Sequence, residues 1–192
     1  MELHRVGIKF FADEHASVRL PELIPTFHRW IQTNAIPGLP IDVANYSHVH
    51  HGPGIMLIAH AGNYALDGAN GRLGLLYTHK QPMDGALPER LAFVCRQALH
   101  ACRLLEEAPE LDGRLQFSGA AMHLIANDRL AAPNTEATMA AIRPALSDLL
   151  ARLYPHTDYA LAREPDPRER FAVTITIPGT VTVRTLLQRL QP

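Results

Sequence analysis

Cysteine is scarce in this chain of 192 residues, which holds only Cys95 and Cys102. The two stand seven positions apart in a stretch of helical periodicity. That spacing separates their Cα atoms by ~10 Å, beyond the ~7 Å a disulfide can span. A bridge between them within one helix is excluded. At i, i+7 they share an apolar face and read as small core residues, not as nucleophiles. Unbridged thiols suit a reducing compartment.

An excess of charge of one sign is also missing: 18 Lys and Arg stand against 19 Asp and Glu, for a formal net charge of −1. The domain-wide basic surface of a non-specific nucleic-acid binder is therefore absent. No apolar run approaches the ~18 residues of a membrane span. The opening Met1-Glu2-Leu3-His4-Arg5-Val6 has no apolar core of a secretory signal. The expectation is a soluble, cytoplasmic protein with neither nucleic acid nor membrane as partner.

Familiar chemical signatures are missing as well. There is no His-Glu-x-x-His and no Cys-x-x-Cys, so no established zinc spacing. No serine lies in Gly-x-Ser-x-Gly. Ser47 and His48 are adjacent, so on a strand they would face opposite ways and could not act as nucleophile and base. Gly71-Arg72-Leu73-Gly74 does not fit the dinucleotide fingerprint and opens no helix.

What is present is globular composition, 47% hydrophobic and 19% charged. The length predicts one domain over residues 1–192, with a pause at the Pro- and Gly-broken loop 81–87. Val6–Phe11 reads as a strand. Leu20, Leu23, Ile24, Phe27 and Ile31 recur at helical spacing. Strands follow at 41–44, 55–60, 64–66 and 73–80. A long helix from Pro88 carries the stripe Leu91, Val94, Cys95, Ala98, Cys102 and Leu105, with Arg90, Gln97 and Arg103 pointing away.

Leu115–Phe117 and Met122–Ala126 read as a hairpin around Ser118–Ala121. Residues 135–153 read as a helix that Pro144 should kink or split, followed by a hairpin over 158–177 and a short closing helix. The fold class expected is α+β, a mainly antiparallel sheet with two or three helices packed on it. The order helix 88–107, hairpin 114–127, helix 135–153, hairpin 158–177 suggests a helix-hairpin repeat in the C-terminal half.

The one local concentration of reactive side chains is Tyr46-Ser47-His48-Val49-His50-His51-Gly52-Pro53-Gly54, followed by an apolar run to His60. Four of the 11 histidines fall within these positions. If the chain reverses at Gly52-Pro53-Gly54, His60 returns beside Tyr46, and Tyr46, His48 and His50 share a strand face. Ligand-binding candidates are then Tyr46, His48, His50 and His60, with Arg72 and Tyr77 orienting a carboxylate or phosphate.

His48, His50 and His60 are also the metal candidates, a set that zinc or another divalent first-row metal would accept. The plainer reading is a polar hairpin tip with solvated imidazoles. Two functions follow: binding of a small anionic molecule or a metal ion in a histidine-lined pocket, or an interaction and assembly module, a homodimer, with incidental histidines. Neither assigns a reaction.

The run Tyr46-Ser47-His48-Val49, Gly52-Pro53-Gly54, His60, Tyr64, Asp67 and Gly71-Arg72 resembles a group of uncharacterised bacterial proteins with no assigned activity. The resemblance covers most of the chain and implies no catalytic residue, cofactor or substrate.

Overall fold

The computed structural model of the chain describes residues 1–49 and 52–191. Eight strands form one antiparallel sheet: β1 (Val6–Ala12), β2 (Pro40–Tyr46), β3 (Gly54–Ala59), β4 (Gly62–Asp67), β5 (Gly74–His79), β6 (Phe117–Ala126), β7 (Ala160–Arg163) and β8 (Ala172–Thr176). Their spatial order is β2-β3-β4-β5-β1-β6-β8-β7. β1 therefore joins two blocks, the meander β2–β5 on one side and β6, β8 and β7 on the other.

Among the described residues there are four α-helices: α1 (Leu23–Thr33), α2 (Leu87–Glu106), α3 (Glu136–Leu153) and α4 (Val183–Arg189). No helix of the described residues is long and apolar enough to cross a membrane. The class is α+β with a mainly antiparallel sheet, as the strand and helix patterning implies. The helices number four, not two or three.

The period of two sorts the sheet into unlike faces. One row of partners, Leu57, Tyr64, Tyr77, Ile8, Leu124 and Val173, runs across six strands, and every member is buried in the core. This face lies under the helices. The expected α2 stripe, Leu91 to Leu105, is fully buried against it, Cys95 and Cys102 included. Trp30 of α1 packs on Phe27, ring centres 5.2 Å apart.

The next row, Met56, Ala65, Leu76, Lys9, His123 and Thr174, lies on the opposite face. Met56 and Leu76 are half-buried and stand outside the core cluster; no described helix covers them.

Several expectations are corrected here. Ser118–Ala121 is not a turn: β6 runs unbroken through it, so α2 is followed by one strand and the helix-hairpin repeat is absent. Gly119 marks a close approach instead. Its N–H donates to the Val181 carbonyl at 2.9 Å, its carbonyl accepts from the Tyr154 hydroxyl at 2.7 Å, and a Cβ there would strike the Val181 carbonyl. Pro144 does not split the helix into two, since α3 continues past it. Pro144 and Ala140 are both exposed, so water can satisfy the carbonyl that loses its donor.

Arg90 does not point away. It is 8% exposed, and its Nη1 donates to Glu2 Oε2 at 3.2 Å. Thr135 caps α3, its hydroxyl accepting from the Thr138 N–H at 3.2 Å.

Candidate functional site

The histidine hairpin has a different register from the one expected. Tyr46 pairs with Gly54 and Pro40 with Ala59. The reversal lies between Tyr46 and Gly54, so Gly54 is a ladder residue rather than the end of the turn. The His60 N–H bonds the Leu39 carbonyl at 3.0 Å, at the far end of the ribbon. About six residues of strand, roughly 20 Å, separate it from Tyr46.

His48 sits in the turn after β2, exposed, and His50 lies outside the described residues. His48 and His60 cannot ligate one ion. Among the described residues no three His, Cys, Asp or Glu converge for a metal.

Tyr46 and His48 do line a shallow cleft of about 660 Å³ with Leu20, Gly54 and Gly68. Of the other described candidates, none of His60, Arg72 and Tyr77 lines it. Tyr77 is buried on the helix face, its ring 4.6 Å from that of Tyr64 and its hydroxyl 2.9 Å from His79 Nδ1. Burial pushes the Tyr77 hydroxyl well above the ordinary tyrosine range. Arg72 lies over the Phe11 ring, Cζ 3.6 Å from its centre.

A second cleft, of about 560 Å³, lies between α2 and α4. Arg96, His100 and Arg103 face it from α2 and Glu107 from just past its end, at i, i+4, i+7 and i+11, with Arg184 and Gln188 from α4, Gln191 beyond it and Pro37 at its rim. These α2 positions run opposite its apolar stripe, where helical spacing puts polar residues. α4 is brought across them by Leu186 and Leu187, both buried, and by a cap in which Thr182 Oγ1 accepts from the Thr185 N–H at 3.2 Å.

Three arginines and one glutamate line this cleft. Glu107 is shared, accepting from Arg103 at 3.3 Å and from Arg184 at 3.0 Å. Arg96 has no acid beside it among the described residues; its Nε donates to the Leu190 carbonyl at 3.1 Å. The Nε–H of Arg103 is buried with no partner among the described residues.

The result is a formal surplus of two positive charges in a chain whose net charge is −1. His100 adds no further charge near neutrality: burial first, then Arg103, lowers its proton affinity, with Glu107 opposing. Sequence reasoning missed Arg96, His100 and Arg184. The signal was there in the polar stripe of α2, but nothing in the sequence places α4 against it.

Three histidines, His79, His100 and His123, are held below their ordinary value of 6.5, each by burial first. The unfolded chain therefore takes up these protons before the folded one. Stability from the three is fully present above pH 6.5 and is lost as pH falls toward the folded values. Glu106, pushed up by burial, titrates with the opposite sign and is outnumbered. Urea unfolding at intervals between pH 7.5 and 5 should show a falling midpoint; a flat or rising profile would contradict this burial.

No protein-family model, no curated protein and no solved structure matches this chain.

Proposed function

We propose that the protein binds a small organic anion with two or more acidic groups in the cleft between α2 and α4. The observation that carries this reading is three arginines lining one cleft with a single glutamate, which only two of them contact. A guanidinium presents paired donors that match a carboxylate or phosphate, and Arg103 holds a buried Nε–H with no partner among the described residues. Seven residues of helix place Arg96 and Arg103 about 10 Å apart, which suits an elongated ligand with charge at both ends. No reaction is assigned.

The probe is citrate, with acetate as the monovalent control, titrated by calorimetry. Citrate should bind and acetate should not. Arg96→Gln and Arg103→Gln should each weaken citrate by about tenfold or more, the loss of one charge-assisted hydrogen bond. Equal affinity in wild type and both variants would remove the reading.

The alternative is an assembly module, favoured by the outer edge of β2. Leu39 and Ile41 are 68% and 58% exposed there, with Tyr46 and Val49 beyond them. Asp42 counts against open pairing. Its carboxylate accepts the Val43 N–H at 2.7 Å, occupying a donor that a second strand would need. In this reading the molecule is a homodimer whose solution mass does not change with citrate.

A further inference from the structure

The face of the sheet that carries no helix holds a group of polar side chains that the α2–α4 cleft does not use. Lys9 of β1 projects onto it and is 4% exposed. Its ammonium donates to Asp67 Oδ1 at 2.6 Å, to the Arg72 carbonyl at 2.9 Å and to the Asp67 carbonyl at 3.4 Å. All three of its protons are engaged, so Lys9 fixes its neighbours and offers no donor of its own.

Arg72 is placed by that contact and by the Phe11 ring beneath it, at 3.6 Å. Its guanidinium is exposed, with no hydrogen bond and no acid among the described residues. Stacking satisfies the face of the guanidinium and leaves its in-plane N–H groups open.

His123 of β6 is the direct partner of Lys9 across the ladder. Its Nδ1 lies 3.0 Å from Thr174 Oγ1, and its Nε2 has no protein partner among the described residues. Phe11 lies two positions along β1 from Lys9 on the same face, 5.5 Å from the ammonium. Arg72, stacked on Phe11, therefore stands on the same face as His123, with Phe11 at the register shift that follows Phe10.

We propose that Arg72 and His123 form a second site, on the uncovered face of the sheet, for the phosphate or carboxylate group of a small molecule. Lys9 is its positioning residue. The charged groups facing His123 are Lys9 from β1, Arg72 from the β4–β5 loop, and Glu164 and Arg170 from the β7–β8 connection. Three of these four are cations. A bound oxyanion offsets them and favours the imidazolium, which then donates from Nε2.

The test uses the full chain and inorganic phosphate, with ionic strength held constant by sodium chloride, and follows the His123 Cε1–H resonance by NMR. Phosphate should shift this resonance saturably and raise the pH at which His123 titrates. Arg72→Gln should weaken the effect by about tenfold or more, and Arg72→Lys should recover only part of it, since an ammonium lacks the fork. In His123→Gln the Arg72 Nε–H resonance should still respond, more weakly.

Arg96→Gln, in the other cleft, should leave all of this unchanged, so the two sites fail independently. The proposal is overturned if His123 does not respond to phosphate, or if its response is the same in Arg72→Gln as in wild type.

Discussion

Asp67→Ala should lower the stability of the fold by about 3–5 kcal/mol, the range for breaking a buried ion pair by removing one partner. The side chains of Lys9 and Asp67 are 5% and 7% exposed and 2.6 Å apart. Burial lowers the proton affinity of Lys9 and Asp67 restores part of it. Without the carboxylate, the ammonium is left largely buried and without a counter-charge. The Ala69 N–H also loses Asp67 Oδ1, its acceptor at 2.9 Å.

The double variant Lys9→Met with Asp67→Ala should be more stable than Asp67→Ala alone, because it removes the unpaired charge and keeps the apolar stem. Urea unfolding of wild type and the two variants measures both effects. A loss below about 1 kcal/mol in Asp67→Ala, the value of an exposed pair, would show that solvent reaches the site.

Gly54→Ala should cost roughly 3 kcal/mol, by a different cause in the same corner. Gly54 opens β3 with φ +66°, a left-handed conformation that costs an L-residue about 1–2 kcal/mol. A Cβ there would also collide with the Leu66 carbonyl and approach Asp67 Cα to 3.1 Å. Backbone cannot yield as a side-chain tip can, so a further overpacking cost of about 1–3 kcal/mol follows. Gly68→Ala is the control: nothing lies within 4 Å of its Cβ position, and its loss should be well under 1 kcal/mol. Equal losses at the two positions in thermal unfolding would contradict the close β3–β4 approach.

Gly54 also shows where the sequence was misleading. Gly52-Pro53-Gly54 has the composition of a turn, and placing the reversal there gathers His60 beside Tyr46. In the fold Gly54 is needed inside the ladder, for the approach of β4, and composition alone does not distinguish a glycine that turns from one that admits a neighbour. Ser118-Gly119-Ala120-Ala121 misleads for the same reason, since Gly119 admits the chain at Val181.

Periodicity was the safer guide. The stripe from Leu91 to Leu105 is buried throughout, and the alternation in 171–177 is realised in β8. These patterns depend only on neighbours a few residues away. The insertion of β1 between β5 and β6, and the seating of α4 against α2, depend on contacts across the whole chain. The candidate cleft is built from that second kind of contact. Of its arginines only Arg103 was read from the sequence, as facing away from the apolar stripe, and only the tertiary fold sets Arg184 beside Glu107.

The most direct measurement is residue-resolved: arginine Nε–H and backbone amide resonances of the full chain, recorded while citrate is added. Shifts should concentrate on Arg96, Arg103 and Arg184 and on the facing turns of α2 and α4. Shifts confined to the hairpin around Tyr46 and His48, or none at all, would contradict the assignment of the cleft as an anion site.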